Sequence, residues 1–304
     1  MKLFQNIKKW ASSGDEDDIA DVDKPLDSPY TKYLQDRHDD TNGKILKPTS
    51  RDVFLLTPEV RHGADTVGLF NAARNLVLIR DPHAGNTGRI LRWKIPAGST
   101  LFWGNWRGYG TDTPGLYNPQ RAGFFLWHGL EQQQAHISLF YGLPNRGWIP
   151  LVGDWDGDGK DGIGLYDPDS GYFFLRNSLT SGLPDHYFRL DSAPGNGIPM
   201  AGDWDGDGIS GVGLYDPQSG SFSLTNHLAP GGPEQVFTVM NPDPQAIPLS
   251  GDWDGSGADK VGLYLHQPSR FMLWPKLTQA DNPLSFRFTH KGMRGLPFSL
   301  RWTD

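Results

Sequence analysis

The chain of 304 residues contains no cysteine. This absence excludes disulfide bonds, thiolate zinc sites, iron–sulfur clusters and a cysteine nucleophile. Nowhere do 18 apolar residues follow one another, so the sequence predicts no transmembrane helix. Cationic side chains are also in deficit, because the formal net charge is -7. A general electrostatic attraction to nucleic acid or to an anionic membrane is therefore disfavoured.

Signal and catalytic motifs are missing as well. Residues 1–10 lack the apolar stretch of a secretory signal peptide, so we expect a cytoplasmic or membrane-complex-associated protein, with non-classical secretion as the alternative. The nine histidines are scattered, and there is no HExxH, GxSxG or P-loop motif. We expect no catalytic activity, although residues from different parts of a propeller can assemble an active site.

Glycine and proline are frequent, with 38 and 24 residues, which predicts many turns. Self-comparison reveals a repeat with a step of 49 residues. Its most regular segment reads Gly-Asp-Trp-Asp-Gly-Asp-Gly at 153–159 and 202–208, with Ser in place of the third Asp at 251–257. A divergent copy, Gly-Asn-Trp-Arg-Gly-Tyr-Gly, stands at 104–110.

The repeated unit extends well beyond this loop. Gly-Leu-Tyr recurs at 115–117, 164–166, 213–215 and 262–264, and a fifth, more divergent unit is recognisable at 65–70. Each unit contains four short apolar segments separated by turn residues, which is the size and pattern of one propeller blade. We therefore predict an all-β fold: a β-propeller of five blades over residues 53–304, preceded by a largely extended tail at 1–52.

The two ends of the array are expected to meet. Residues 296–302 match the first strand of a unit, as does the segment Val53–Thr57, so we expect N- and C-terminal strands to close the ring. An open superhelix and a six-bladed ring with one incomplete blade are the alternatives. A glycine in the middle of each second strand is interpreted as a place where neighbouring sheets approach closely. Five tryptophans that recur with the repeat are predicted to pack in the core: Trp106, Trp155, Trp204, Trp253 and Trp302.

The acidic loops have the residue pattern of a calcium site. Carboxylates at loop positions 1, 3 and 5, a glycine at 6 and a backbone carbonyl at 7 place oxygen atoms around one hard cation. Two loops are complete, and a third has Ser at position 5. The alternative is that these residues form Asx turns without a metal. The predicted ligands are Asp154, Asp156, Asp158 and Lys160; Asp203, Asp205, Asp207 and Ile209; and Asp252, Asp254 and Ser256.

This tandem DxDxDG loop, followed by an apolar strand at blade spacing, resembles the FG-GAP and VCBS-type repeats of integrin α-subunit propellers and many bacterial surface proteins. The resemblance covers about four fifths of the chain and implies structural Ca²⁺ ions and a role in adhesion or protein–protein contact. One feature departs from the family, which has an Asp at loop position 9. That position holds Gly162, Gly211 or Lys260 here, and Asp161 and Asp259 stand at position 8.

The tail at 1–52 does not share the repeat and is predicted to bind a protein partner. It combines an apolar helical face, a run of acids at 15–27 and a second apolar segment. Such motifs on an acidic linker are typical of docking peptides. A disordered tail, a tail packed on its own propeller and peripheral membrane contact are the alternatives. The predicted partner-binding residues are Leu3, Phe4, Ile7, Trp10, Tyr30, Tyr33 and Leu34.

Two binding functions remain open at this point. An interaction subunit of a larger assembly would present a rigid face and use its tail as an anchor. A carbohydrate-binding propeller would repeat one sugar pocket in each blade. The connections between repeats, such as 145–148 and 241–245, share little chemistry, which favours one asymmetric protein partner over a glycan.

Overall fold

The structure, a computed structural model, describes residues 63–81, 88–130, 134–191, 197–267, 269–278, 282–290 and 295–302. These residues form five antiparallel sheets of four strands each. Blade 1 comprises β1 (Thr66–Asn71), β2 (Leu76–Arg80), β3 (Gly88–Arg92) and β20 (Leu296–Leu300); blade 2 comprises β4 (Thr100–Gly104), β5 (Thr113–Asn118), β6 (Gly123–Leu126) and β7 (Ile137–Phe140); blade 3 comprises β8 (Ile149–Gly153), β9 (Gly162–Asp167), β10 (Tyr172–Arg176) and β11 (His186–Arg189); blade 4 comprises β12 (Ile198–Gly202), β13 (Gly211–Asp216), β14 (Ser221–Thr225) and β15 (Gln235–Thr238); and blade 5 comprises β16 (Ile247–Gly251), β17 (Lys260–Leu265), β18 (Arg270–Leu273) and β19 (Leu284–Arg287).

The five sheets are arranged as a closed ring. The first strands of successive blades pack against one another in the order β4, β8, β12, β16 and β20, and β20 in turn packs against β4. These five strands are therefore the inner strands of a five-bladed β-propeller. The predicted fold class and blade number are confirmed, and neither an open superhelix nor a six-bladed ring fits this closure.

Blade 1 is completed by the two ends of the array, as the repeat predicts. The C-terminal strand β20 pairs antiparallel with β1, from Thr66 opposite Leu300 to Phe70 opposite Leu296. It thus fills the inner position of blade 1, the same place that β8 holds in blade 3. The predicted strand at 53–57, like the whole tail at 1–52, lies outside the described residues.

The recurrent tryptophans pack in the interior, as predicted. Trp106, Trp155, Trp204 and Trp253 are at most 6% exposed. The indole Nε1 of the last three donates to the carbonyl of the residue eight positions later, at 3.1 to 3.3 Å. The fifth, Trp302, is half-buried, and the guanidinium of Arg89 lies 4.5 Å from the centre of its ring.

The mid-strand glycines make room for side chains of their own blade. A Cβ on Gly115 would lie 2.1 Å from the ring of Phe102, and a Cβ on Gly262 would lie 2.7 Å from Leu273. Both neighbours belong to the same sheet as the glycine. The interpretation of these glycines as contacts between neighbouring sheets was wrong, because side chains of the adjacent strands fill the space.

The antiparallel strands divide the connections between two faces of the ring. One face carries the connections between first and second strands, including the acidic loops, and those between third and fourth strands. We call it the loop face. The opposite face carries the connections between second and third strands and those between successive blades, and is called the hairpin face. On the hairpin face of blade 3, for example, the turn after Asp167 is closed by a hydrogen bond from Gly171 N–H to the Asp167 carbonyl at 2.8 Å.

Replacement of Phe298 in β20 tests the ring closure. Phe298 is 8% exposed, stacks on Trp103 of blade 2 at 5.0 Å and fills the space above Gly68 of β1. We expect Phe298→Ala to lower the free energy of unfolding by ~3–5 kcal/mol, since it leaves a cavity at the joint between two blades. Phe140→Ala, at a position 48% exposed on β7, serves as control. Equal losses in urea unfolding would contradict this role of Phe298.

Candidate metal loops and the ring of interblade contacts

The first acidic loop, residues 154–160, is wound around the carboxylate of Asp154. Its Oδ1 accepts hydrogen bonds from the N–H groups of Gly157 and Asp158, at 2.8 and 3.2 Å, and its Oδ2 accepts one from Gly159 at 2.7 Å. Gly157 and Gly159 have φ values of 74° and 83°, a region that disfavours residues with a side chain. The alternating Asp and Gly residues thus produce a loop that curls tightly around its first side chain.

The remaining carboxylates of this loop converge on the same point. One oxygen from each of Asp154, Asp156 and Asp158 lies within 4.8 Å of the others. The ammonium of Lys160 stands 3.1 Å from Asp158 Oδ2. The backbone N–H of Lys160, and then its ammonium, lower the pKa of Asp158. An ion entering this loop would have to displace the lysine from one of its three carboxylates.

The second loop, residues 203–209, has the same hydrogen bonds without the lysine. Asp203 accepts from the N–H groups of Gly206, Asp207 and Gly208, and one oxygen of each loop Asp again lies within 4.8 Å of the others. Ile209 occupies the place of Lys160. Burial raises the pKa of Asp203, and the charges of Asp207 and Asp205 add to the rise. Three carboxylates therefore share this loop with no cationic side chain of the loop beside them.

The third loop, residues 252–258, keeps the fold of the first two but has a different charge arrangement. Asp252 accepts from the N–H groups of Ser256 and Gly257 at 2.9 and 2.8 Å. The ammonium of Lys260 donates to the carbonyl of Ala258, which stands at loop position 7, at 2.7 Å. Within the described parts of the chain, acidic groups of three close enough to share one ion occur in the first two loops and not here.

The divergent copy at 105–110 has the same shape with no acidic side chain. Asn105 Oδ1 takes the part of the first Asp and accepts the N–H of Tyr109 at 2.9 Å. The guanidinium of Arg107 lies over the Tyr109 ring at 4.3 Å. This loop is therefore held by an amide and a cation–π contact.

Five pairs of reciprocal hydrogen bonds join successive blades at the loop face. In each pair, the residue just before a second strand donates its N–H to the carbonyl of the first loop residue of a neighbouring blade, and its side chain accepts the N–H of that same residue. We call this arrangement the interblade clamp; all ten distances lie between 2.6 and 3.1 Å. The pairs are Asp65 with Asp252, Asp112 with Arg301, Asp161 with Asn105, Ser210 with Asp154 and Asp259 with Asp203.

Four of the five side chains that accept a hydrogen bond in the clamp are carboxylates. The positive charge of Arg301 acts on all four of them and lowers their pKa values. Burial raises the pKa of Asp161 to about 6 and that of Asp259 to about 7. Burial, with the charge of Asp161, raises the pKa of Asp112 well above its ordinary value. Arg301 Nε lies 3.2 Å from Asp65 Oδ1, and the charge of Asp65 raises the pKa of Arg301. The clamp thus brings four buried carboxyl groups together at the loop face, where burial and mutual repulsion disfavour their ionised forms.

The predicted carboxylate ligands lie close enough to share one ion in two of the three loops, and position 8 has a role that the sequence did not reveal. Asp161 and Asp259, noted as departures from the calcium-loop pattern, are clamp residues. Their partners lie 56 positions away in the sequence. The regular recurrence of an acid at 65, 112, 161 and 259 was the available signal. The predicted partner-binding residues, from Leu3 to Leu34, lie outside the described residues.

Two of the scattered histidines meet in blade 2. His128 and His136 stack with ring centres 4.5 Å apart, and the N–H of His128 donates to His136 Nδ1 at 3.3 Å. Burial, then the nearby charges of His136 and Arg107, lower the pKa of His128. The pair follows from the register of β6 and β7, in which Leu126 faces Ile137. Sequence reasoning missed this contact because it requires the hairpin register.

Comparison with known proteins gives little beyond this geometry. No family model matches the sequence, and no curated protein is similar to it. A crystal structure of BBS1N in complex with ARL6DN, soaked with mercury, aligns at 9% identity and a TM-score of 0.35, over 62% of this chain and 57% of that one. The same complex soaked with lead aligns at 9% and 0.36, over 79% and 70%. Apo AztD from Citrobacter koseri aligns at 10% and 0.32, over 80% and 75%. The chain thus spans 57% of the length of the first of these chains.

No helix in the described parts of the chain is both long and apolar enough to span a bilayer.

Neutralising Asp112 tests the electrostatics of the clamp. A carboxyl group with a raised pKa in the folded protein stabilises the fold when protonated, and this stabilisation declines as the pH rises through the folded-state pKa. Asp112→Asn keeps an oxygen for the Arg301 N–H and cannot ionise. We therefore expect the variant to lose less stability than the wild type between pH 5 and pH 8, in urea unfolding with excess chelator.

The control for this measurement is Asp169→Asn, at an exposed acid in the hairpin-face turn of blade 3. It should retain the pH dependence of the wild type. If Asp112→Asn and the wild type lose stability in parallel across this pH range, the charge on Asp112 does not oppose folding.

Proposed function

We propose that this chain is a non-catalytic interaction scaffold, whose rigid propeller binds other proteins through unlike faces and whose N-terminal segments dock it on a larger assembly. The observation that carries this proposal is a contrast between interior and surface. The interior repeats from blade to blade: Leu165, Leu214 and Leu263 are at most 2% exposed, and each precedes a buried tyrosine. The surface does not repeat.

The large exposed apolar side chains on the surface occur in some blades and not in others: Ile90 and Val236 hold the same register position in blades 1 and 4, where blades 2 and 5 have serine. Ile90 and Phe140 are each 48% exposed, on β3 and β7, while Val236 on β15 is 62% exposed and Met240 is 79% exposed. All four lie on or next to a fourth, outermost strand. Outer edges that differ in this way suit one asymmetric protein partner rather than several copies of one small ligand.

The same contrast weighs against the glycan alternative. Among the described residues of the propeller, Tyr109 is the most exposed aromatic residue, at 71%. Its equivalents in the next three blades are Asp158, Asp207 and Ser256, which offer no ring for a sugar to stack on. The recurrent tryptophans of the calcium-type loops are buried. A sugar pocket repeated in each blade therefore has no aromatic platform in these loops.

We further propose that Ca²⁺ stabilises the first and second loops, as the resemblance to FG-GAP and VCBS repeats implies. Three carboxylates in each loop supply hard oxygen ligands, and their mutual repulsion favours a neutralising cation. The second loop should bind more tightly, since Lys160 already pairs with Asp158 in the first. The third loop should not bind, because the Lys260 ammonium occupies the carbonyl of Ala258.

Calcium should raise the melting temperature of the full chain by binding the folded state. At free calcium 100 times the Kd of a site, the stabilisation is ~2.7 kcal/mol. We expect Asp205→Asn to remove most of the shift and Asp216→Asn, in a hairpin-face turn, to leave it intact. Thermal unfolding in excess calcium and in excess chelator measures both. Equal melting temperatures in the two conditions for the wild type would refute calcium binding.

Lys160→Ile copies the second loop into the first and should increase the calcium affinity of the first loop. The substitution removes a competing cation and leaves the three carboxylates in place. Calorimetric titration should then show two sites of similar affinity instead of one tighter and one weaker site. Two sites of unchanged, unequal affinity in this variant would contradict the proposed competition.

The docking role of the tail is tested in the full chain. We expect the variant with Leu3, Ile7 and Trp10 replaced by Ala to lose proteins that co-purify with the wild type from extracts of the native source, because these residues form the predicted apolar face. Gln5→Ala with Asn6→Ala, in the same segment but off that face, is the matched control. Recovery of the same proteins by both variants would show that this segment does not dock.

A further inference from the structure

Two segments of this chain have the sequence and spacing of the first strand of blade 1. The structure places β20 in that position, paired with β1. The other segment is 53–57, which we call the N-segment. It stands 47 positions before β4, the first strand of blade 2, as Asp65 stands 47 positions before Asp112. One position in the ring thus has two candidates within a single chain.

The loop between the N-segment and β1 has the length that the first position requires. In blades 2 to 5, eight residues connect the first strand to the second, as at 105–112 between β4 and β5. Eight residues, 58–65, likewise separate the N-segment from β1, which begins at Thr66. The N-segment is therefore spaced to enter the inner position of its own blade.

The described end of this loop follows the path of the other first loops. Gly63, at loop position 6, has a φ of 101°, and the four glycines at the same position of the other loops have φ values of 76° to 91°. Asp65, at position 8, is clamped to Asp252 of blade 5 through two hydrogen bonds of 2.9 Å. The backbone before β1 is thus directed as in a blade whose first strand precedes its second.

The N-segment also has an apolar residue where a first strand needs one. Phe298 holds the third position in β20, opposite Gly68 of β1. Leu151 and Leu249 hold the same position in blades 3 and 5, and both are buried. The third residue of the N-segment is Leu55. A leucine in this position is compatible with the fold, so Leu55 is suited to replace Phe298.

The interblade clamp favours β20 over the N-segment. Arg301, which follows β20, gives its N–H to Asp112 Oδ2 at 2.6 Å and its guanidinium to Asp65 Oδ1 at 3.2 Å. The residue that follows the N-segment is Pro58, which has no N–H to donate. A ring closed by the N-segment lacks this hydrogen bond and this ion pair. The N-segment is therefore the weaker competitor.

We propose that blade 1 is a strand-exchange switch, in which the N-segment replaces β20 and closes the ring in a second, less populated state. The two strands exclude each other, because β2 already pairs with the other edge of β1. Entry of the N-segment releases residues 296–304, and entry of β20 releases the residues before 58. A partner that binds one of the released segments shifts the two populations.

Exchange within one chain is favoured over exchange between copies. Eight residues, 288–295, join β19 to β20, as eight join β7 to β8 at 141–148. Both competing strands are thus tethered to the ring by connections of the ordinary length. A tethered strand competes at an effective concentration in the millimolar range. The inference does not depend on the proposed function or on calcium binding.

Three introduced cysteines report which strand is paired with β1, because the chain has no cysteine of its own. Val67 lies opposite Ser299 in the structure. It lies opposite Leu56 when the N-segment takes the register of β4 on β5, in which Trp103 faces Pro114. The variant combines Val67→Cys, Leu56→Cys and Ser299→Cys. Residues directly opposite each other on antiparallel strands have Cα separations that suit a disulfide.

The ratio of the two possible disulfides measures the exchange. In a glutathione redox buffer they interconvert, and mass spectrometry of the non-reduced digest quantifies both. We expect the 67–299 disulfide to dominate and the 67–56 disulfide to be the minor product. Phe298→Ala weakens β20 alone and should raise the ratio of 67–56 to 67–299 about a hundredfold. Phe140→Ala, the control, should leave the ratio unchanged.

Pro58→Asn tests the reason for the preference. It restores an N–H at the first loop position, where Asn105 donates to Asp161 in blade 2 at 2.6 Å. We expect the ratio of 67–56 to 67–299 to rise about two- to tenfold, the effect of one hydrogen bond. Pro48→Asn, outside the N-segment and its loop, is the matched control. Equal ratios in these two variants overturn the proposal.

Two further outcomes decide against the switch. Absence of the 67–56 disulfide in every variant, including Phe298→Ala, shows that the N-segment does not take the inner position. A 67–56 disulfide found only in covalent dimers assigns the N-segment to a second copy of the chain. Either result overturns the proposal.

Hydrogen exchange provides an arm without cysteines, which decides the question if the triple variant does not fold. Each entry of the N-segment frees the amides of β20, so Pro58→Asn should speed their exchange about two- to tenfold. The amides of β12 in the same samples should not change, and Pro48→Asn should match the wild type. Equal β20 exchange in Pro58→Asn and Pro48→Asn overturns the proposal.

Discussion

The reciprocal hydrogen bonds between neighbouring blades are the interaction on which the rest of this structure depends. A four-stranded sheet of short strands cannot bury both of its faces alone, and a propeller solves this problem only if each sheet is held at a constant angle to the next. The clamp provides that geometry at the loop face, because each first loop residue both donates and accepts across the joint. Every joint of the ring has one clamp, so closure does not require a special contact.

The clamp explains why the loop at 105–110 keeps the shape of the acidic loops although it contains no acidic side chain. The clamp needs a loop that presents the N–H and carbonyl of its first residue, and hydrogen bonds within the loop provide that shape. Asn105 achieves it with an amide and remains clamped to Asp161, although its loop has no carboxylate. The turn therefore forms without a cation, and the calcium binding that we propose for two of the loops would add to a turn that is already formed.

The repeat was sufficient to predict the fold, because a step of 49 residues reports the number of blades, their strands and the buried tryptophans directly. It was not sufficient where a contact crosses from one unit to another. The role of Asp259 depends on Asp203, 56 residues away, and the glycines are explained by side chains of paired strands. The contact between the Lys260 ammonium and the Ala258 carbonyl depends on a side-chain conformation that the repeat does not report.

The joint that includes the C-terminal strand shows how the clamp tolerates its own charge. In blades 2 to 5 a loop connects the first strand covalently to the second, but β20 and β1 come from opposite ends of the array. Arg301 follows β20, gives its backbone N–H to Asp112 of blade 2 and places its guanidinium on Asp65, just before β1. An ion pair thus stands where the other blades have a peptide connection. The same guanidinium offsets part of the repulsion among the four clamp carboxylates. In the fifth clamp, the neutral hydroxyl of Ser210 accepts the hydrogen bond instead. A carboxylate is therefore not required as the acceptor of a clamp.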